Sequence, residues 1–230
     1  MLYWVLRYAV VGPLVALLFR PRISGRRHVP RHGPVIIAAN HLSFLDSVFL
    51  PVSLRRRITF PAKVEYFQMR GAVGVAARLF FRGTGQIPID RSSGRAAKVA
   101  LDLGAEILRG GGVFGIYPEG TRSPDGRLHR GKTGVARLAL SSGAPVVPVA
   151  LMNLDEIQPR GRALPRLRRV HIVYGEPLDF SRYADLPRDR HVIRAVTDEI
   201  MYEIMKLSGR EYVDVYAQRA KSGSALSEAA

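Results

Sequence analysis

The run Pro34-Val35-Ile36-Ile37-Ala38-Ala39 narrows the possible folds more than any other stretch of this chain, because it is apolar throughout and stops abruptly at Asn40-His41. A short, uninterrupted apolar run with such ends reads as a buried strand. Related runs recur at Val113-Phe114-Gly115-Ile116, at Ala144-Pro145-Val146-Val147-Pro148-Val149 and in Gly85-Gln86-Ile87-Pro88-Ile89-Asp90. Between them lie stretches of helical period. One runs from Ser92 to Arg109, with Val99, Leu103 and Ile107 on one face and Gly110 to Gly112 as its stop. Another runs from Asp189 to Leu207, where Ile193, Val196, Ile200, Ile204 and Leu207 keep helical spacing before Gly209. Strands alternating with helices make an α/β layered domain, here with a mixed, mostly parallel central sheet flanked by helices.

At 230 residues and 47% hydrophobic content the chain can bury one substantial core. No low-complexity linker or internal repeat divides it, so a single domain is expected over residues 23–220. An apolar segment precedes it at 1–22, and a small, polar tail at 221–230 is expected to be mobile.

The strand ending at Ala39 delivers a histidine and a carboxylate, His41 and Asp46, to a loop or helix start. There an imidazole can take a proton from an attacking hydroxyl, while a carboxylate on its other nitrogen fixes the tautomer and stabilises the imidazolium. The plainer reading is that Asp46 favours the first turn of the following helix. Two further strand-like segments end in guanidiniums, Arg91 after Gly85 to Asp90 and Arg122 within Tyr117-Pro118-Glu119-Gly120-Thr121-Arg122-Ser123. In an open α/β sheet, strand ends on one side line the ligand crevice, and an arginine fork matches phosphate oxygens. In a chain with 35 Lys and Arg, either one alone would read as a surface cation.

These segments together resemble the glycerophospholipid acyltransferases, the family that includes the 1-acylglycerol-3-phosphate acyltransferases. The family pattern is Asn-His, four residues, Asp; then a glycine-led segment ending in Arg; then Phe-Pro-Glu-Gly-Thr-Arg-Ser; then a Val/Pro-rich strand. All four occur here in that order, over about residues 20 to 180. Tyr117 replaces the usual Phe, and Gly131-Lys132 replaces a common Phe-Lys pair. The resemblance implies transfer of a fatty acyl chain from acyl-CoA or acyl carrier protein to the hydroxyl of lysophosphatidate or a related lysophospholipid, glycerol 3-phosphate or glycolipid, giving phosphatidate in the first case. By the same resemblance His41 is the general base and Asp46 its orienting carboxylate, and Arg91, Glu119 and Arg122 bind the acceptor's glycerol phosphate. Gly120, Thr121 and Lys132 complete the substrate-binding set. Glu119, an anion beside a phosphate site, is expected to hold an arginine or accept a glycerol hydroxyl. Gly120 is expected to permit close backbone approach. Asn40 is expected to stabilise the local turn, with oxyanion stabilisation as the alternative. Direct transfer suits a thioester donor, which is already activated, and with no cysteine in the chain a cysteinyl acyl-enzyme is excluded. No cofactor is implied.

Gly126-Arg127-Leu128-His129-Arg130-Gly131-Lys132-Thr133 fits the phosphate-loop pattern of nucleotide hydrolases residue for residue. Its context does not: a phosphate loop follows directly on a buried strand, whereas Pro118 to Asp125 is rich in turn residues. The reading preferred for Lys132 is a phosphate contact to donor or acceptor, or a surface lysine before the helix Thr133 to Leu140. His129, just beyond the Glu-Gly-Thr-Arg motif, is a candidate to line the same pocket. The six histidines lack zinc-ligand spacing.

Tyr3 to Phe19 is strongly apolar but broken by Arg7 and Pro13, and it is shorter than the roughly 20 residues that comfortably span a bilayer. It is expected to lie in the membrane interface or re-enter it. Arg20, Arg22, Arg26, Arg27 and Arg31 follow, a cluster suited to anionic headgroups on the cytoplasmic face of the cell membrane. Arg55-Arg56-Arg57 and Arg160, Arg162, Arg166, Arg168 and Arg169 extend the positive surface. A net charge of +16 also fits a nucleic-acid binder. That rival lacks its aromatic stacking residues, since the only tryptophan, Trp4, sits in the apolar N-terminus.

Overall fold

The computed structural model describes residues 2–89, 96–159, 162 and 164–227. Helices α1 (Leu2–Val5) and α2 (Gly12–Phe19) join through a π-helical stretch (Leu6–Val11). Strands are β1 (Arg22–Ser24), β2 (Val35–Ala39), β3 (Ile58–Lys63), β4 (Gln86–Ile89), β5 (Val113–Ile116), β6 (Leu128–His129), β7 (Val146–Met152), β8 (His171–Tyr174) and β9 (Tyr212–Val213). The remaining helices are α3 (Asp46–Ser53), α4 (Glu65–Gln68), α5 (Gly71–Gly83), α6 (Ala96–Arg109), α7 (Gly134–Ser142), α8 (Leu154–Ile157), α9 (Arg190–Ser208) and α10 (Ala217–Ser227).

Seven strands form one sheet in the order β1-β8-β7-β2-β5-β3-β4, and β6 pairs with β9 apart from it. The pairs β7·β2, β2·β5, β5·β3 and β3·β4 are parallel, and β8 runs antiparallel to β7 with β1 parallel to β8. The mixed, mostly parallel sheet read from the sequence is therefore present. Every residue of β2 is buried, as a strand covered on both faces requires. Its alternate residues feed two cores. Val35, Ile37 and Ala39 pack with Val11, Val15 and Phe19 of the N-terminal helix and with Phe49 and Leu50 of α3. Ile36 and Ala38 pack with Val135 and Leu138 of α7 and with Ile193, Val196 and Ile200 of α9.

Capping follows the sequence signals. Asp189 accepts from the backbone N–H groups of His191 (2.7 Å) and Val192 (3.0 Å) at the start of α9, and Gly209 closes that helix at φ +63°. Ser92 to Arg109 is helical from Ala96 onward, residues 90–95 lying outside the described set. The stretch expected as a tail continues α10 as far as Ser227.

The N-terminal helix turns a stripe of i, i+4 residues inward, Tyr3, Arg7, Val11, Val15 and Phe19. Arg7 is explained by what it meets: its guanidinium donates to the carbonyl of Pro51, in the last turn of α3, where free carbonyls and the helix dipole favour a cation. Trp4, Val5, Tyr8, Leu14 and Leu17 face outward and are exposed. A cavity of about 310 Å³ opens between this helix and α3, with Arg7, Val15, Ile23, Arg26, Phe49 and Val52 among its walls. Among the described residues no helix is long and apolar enough to cross a membrane.

One expected surface cation has a different task. Arg56 donates to the carbonyls of Pro30 (2.9 Å), Gly33 (2.6 Å) and Gly111 (2.8 Å), clipping together the segments that lead into β2 and β5. Those segments enter the strands from the end opposite His41, and the three carbonyls leave Arg56 little capacity for headgroups.

Candidate active site

His41 leaves the end of β2 at the centre of the sheet, where β5 and β7 flank it on either side. Loops leaving neighbouring parallel strands diverge there and open a crevice. Asn40 anchors the loop, its side chain donating to the Leu151 carbonyl (2.9 Å) and accepting from the Leu151 N–H (2.7 Å). It thus bridges to β7 rather than stabilising its own turn, and with both ends of the amide occupied it is no free oxyanion donor.

His41 and Asp46 meet as the sequence predicts. Asp46 Oδ2 lies 2.7 Å from His41 Nδ1 and also accepts from the N–H groups of Leu42 (2.6 Å) and Ser43 (2.9 Å). The same residue opens α3, so the structural role and the dyad coexist. Asp46 is wholly buried, and its Oδ1 has no hydrogen-bond partner among the described residues. Because an ionised carboxylate only accepts, the proton of this bond sits on Nδ1, and in the neutral imidazole Nε2 then holds the lone pair. The imidazole keeps 18% of its surface exposed, enough to meet a substrate.

Rings hold the imidazole in place. Tyr117 stacks on His41 at 4.0 Å between centroids and 10° between planes, and Phe60 lies behind Tyr117 at 5.4 Å. Gly115 makes room for this column, since a Cβ there would fall 2.1 Å from the Phe60 ring. Burial pushes the Tyr117 hydroxyl well up, with the Asp46 charge adding to it, and that hydroxyl lies 3.3 Å from Ser47 Oγ. Nothing in the local sequence signals that Tyr117 stacks on the histidine.

The Glu-Gly-Thr-Arg loop after β5 grips the backbone of His41 from both sides. Glu119 Oε2 accepts from the His41 N–H (3.1 Å), and the His41 carbonyl accepts from the Ser123 N–H (2.8 Å). Glu119 Oε1 accepts from the His129 N–H (2.9 Å), and the side chain is 1% exposed. Glu119, expected to hold an arginine or accept a glycerol hydroxyl, instead has its two oxygens on backbone amides, and burial keeps it from solvent. Burial raises its pKa to about 7, against the pull of the two amides. His129 is likewise removed from the pocket wall. It is fully buried, with Nε2 2.9 Å from Asp125 Oδ1 and Nδ1 3.2 Å from the Val215 carbonyl.

Gly120 adopts φ +73°, and a Cβ there would sit 3.0 Å from the Lys132 side chain, so the close approach is to Lys132. Thr121 Oγ1 accepts from Lys221 Nζ, and Lys132 Nζ donates to Gln218 Oε1 (2.8 Å). Arg122 is exposed on the same loop. Arg91 lies outside the described residues, just beyond β4, whose end points the same way as those of β2 and β5. Ser43 Oγ donates to Gln158 Oε1 (2.8 Å). The stretch that matches the phosphate-loop pattern is not such a loop, because Leu128 and His129 form buried strand β6 and the N–H groups of His129, Arg130 and Lys132 are taken by Glu119, by the Val213 and Val215 carbonyls and by Pro118. Among the described residues no group of three or more His, Cys, Asp or Glu side chains is placed to hold a metal ion.

Residues 20–152 match the family model described as Acyltransferase. The chain belongs to that acyltransferase family. Similar curated proteins include a chloroplastic 1-acyl-sn-glycerol-3-phosphate acyltransferase of Brassica napus, 33% identical over 144 residues, or 62% of this chain and 40% of that protein. A chloroplastic namesake of Arabidopsis thaliana is 30% identical over 166 residues, 71% of this chain and 45% of that protein. The human beta form is 37% identical over 136 residues, 59% of this chain and 48% of that protein. The matched part of this chain thus spans about half or less of each relative. In fold it is similar to the crystal structure of the 1-acyl-sn-glycerophosphate acyltransferase PlsC of Thermotoga maritima, with TM-score 0.65 and 24% identity over 89% of this chain and 82% of that one.

Proposed function

We propose that this chain transfers a fatty acyl group from acyl-CoA or acyl carrier protein to the free hydroxyl of lysophosphatidate, forming phosphatidate. The observation that carries this reading is the clamped imidazole: Nδ1 held by Asp46 at 2.7 Å, the ring braced by Tyr117, the backbone gripped by Glu119 and Ser123, and Nε2 left as the base. Nε2 takes the acceptor's hydroxyl proton as the oxygen attacks the thioester carbonyl. The tetrahedral adduct collapses with loss of the thiolate, which recovers the proton from the imidazolium. Asp46 stabilises that imidazolium without itself being protonated. Ser43 is held by Gln158, which favours direct transfer over a seryl intermediate. Arg122, Thr121 and Lys132, with Arg91, contribute the polar and cationic surface for the glycerol phosphate.

The chain works at a membrane surface in this reading. The outward apolar face of the N-terminal helix, carrying Trp4, Tyr8, Leu14 and Leu17, is followed by exposed Arg20, Arg22, Arg26, Arg27 and Arg31. An apolar helix face flanked by arginines suits shallow insertion into an anionic leaflet, here the cytoplasmic one. A panel of lysophosphatidate, glycerol 3-phosphate and other lysophospholipids with labelled acyl-CoA tests the assignment. Phosphatidate as the main product is expected; nucleotide hydrolysis without transfer to any lipid would refute it.

A further inference from the structure

The connection from β7 to β8 has a composition that the site does not use. Between Gln158 and Val170 the sequence carries five arginines, two leucines and no acidic residue. Leu164 and Leu167 are 77% and 65% exposed and, with Leu17 at 71%, are the three most exposed large apolar side chains among the described residues. Arg166, Arg168 and Arg169 flank Leu167 and are exposed as well, Arg168 pairing with Glu156 at 2.6 Å. The topology fixes where this segment lies. β7 runs parallel to β2, so Met152 ends at the same end of the sheet as Ala39, from which His41 emerges, and β8 turns back there with His171 opposite Met152. Gln158 Oε1 accepts from the hydroxyl of Ser43 (2.8 Å), two residues beyond His41, and the Arg166 N–H donates to the Ile157 carbonyl (2.8 Å). At the far end the Val170 carbonyl accepts from the Arg22 N–H (2.8 Å), where β1 starts beside β8. The loop therefore runs from the mouth of the site to the basic turn Arg20-Pro21-Arg22 that follows the N-terminal helix.

Two exposed leucines among guanidiniums match the boundary between lipid headgroups and acyl chains, where apolar side chains enter the hydrocarbon and cations stay with the phosphates. We propose that residues 164–169 are a second membrane contact, separate from the N-terminal helix: Leu164 and Leu167 enter an anionic leaflet while Arg166 and Arg169 meet lipid phosphates. The contact seats the mouth of the site on the surface that holds its acceptor. That purpose rests on the acyltransferase reading above, whereas the contact itself rests on the leucines and arginines alone. An acidic carrier protein would also match the arginines. The leaflet is favoured by the two leucines and by the hydrogen bond from Arg22 to Val170, which joins this loop to the turn after the helix that carries exposed Leu14 and Leu17.

The test is co-sedimentation of the full chain with vesicles of phosphatidylcholine alone and of phosphatidylcholine mixed with phosphatidylglycerol. Leu164→Ser with Leu167→Ser should lower partitioning onto the mixed vesicles about 10-fold. Arg166→Gln with Arg169→Gln should lower it by a similar factor on mixed vesicles, an effect that added salt erases, and by less than about twofold on neutral ones. Both pairs lie on the surface, so thermal unfolding should be unchanged. In kinetics, both pairs should raise KM for lysophosphatidate embedded in mixed vesicles and leave kcat/KM for a short-chain, water-soluble acceptor within about twofold. Unchanged partitioning of both pairs overturns the proposal. So does unchanged partitioning with a KM rise confined to acyl carrier protein, which would assign the arginines to that donor. If the unmodified chain acylates no lipid while the variants still lose vesicle binding, the transferase reading falls and the membrane contact stands.

Discussion

Two histidine–aspartate pairs lie in segments joined through Glu119, and they are built for opposite ends. His41 and Asp46 are five residues apart, His129 and Asp125 four, and in each a ring nitrogen sits within 2.9 Å of a carboxylate oxygen. The second ring nitrogen separates them. That of His129 is engaged by the Val215 carbonyl inside a fully buried site, whereas His41 is partly exposed and keeps Nε2 unbonded to any described residue. The carboxylates differ in reverse: Asp46 is enclosed, while Asp125 is about one-third exposed and, despite partial burial, is held well below the usual carboxylate range by hydrogen bonds from His129 and Arg127. A His–Asp contact is thus no mark of chemistry in itself. What matters is whether the imidazole retains an accessible lone pair.

The sharpest way to break this contrast is to remove each ring in turn. His41→Ala should cut acyl transfer by about 100-fold or more, as loss of a general base does, with thermal unfolding and liposome binding preserved. His129→Ala should do the reverse. It removes the ring's bonds to Asp125 and to the Val215 carbonyl and opens a void in a fully buried site, costing about 3 kcal/mol, or a Tm lower by about 5–10 °C, with kcat per folded molecule nearly unchanged. Equal effects of the two substitutions on turnover would remove the distinction.

Glu119, which joins the two pairs through the N–H groups of His41 and His129, sharpens it further. Its folded pKa of about 7 lies above the ordinary 4.5, so between those values the folded state keeps a proton that the unfolded chain has lost. Stability therefore falls as pH rises through that window, by on the order of 3 kcal/mol, and levels off above it. Glu119→Gln should flatten that component in denaturant titrations at pH 5, 6 and 7.5. The substitution should also lower stability at every pH, because an amide presents one acceptor and one donor to two N–H groups. An unaltered pH slope would show that Glu119 does not titrate there.

The parts legible in the sequence were those written in local pattern. Val35–Ala39 announced β2 by its unbroken apolarity, and the spacing of Ile193, Val196, Ile200 and Ile204 announced α9. His41 and Asp46 were legible because their partnership is local, spanning one turn between a strand end and a helix start. Contacts between distant segments were not. Nothing near Glu119 signals that its carboxylate serves backbone amides at positions 41 and 129, since that depends on where β2, β5 and β6 meet. Arg56 reads as one of three surface arginines until Pro30, Gly33 and Gly111 are brought to it. Lys221 sits in a stretch of small polar residues with no periodic cue, and its position over Thr121 follows from the anchoring of α10 at Ala217. The outer face of the N-terminal helix was legible as apolar, whereas the reason for its one buried arginine lay in the Pro51 carbonyl.

The tautomer of His41 is the most direct test that its open nitrogen is the base. Long-range proton–nitrogen NMR of the histidine-labelled chain at neutral pH, with His41→Ala as the assignment control, should show Nδ1 protonated and Nε2 bare. A His41 spectrum with the proton on Nε2 and the lone pair on Nδ1 would contradict the account, because the nitrogen meant to accept the acceptor's proton would already hold one.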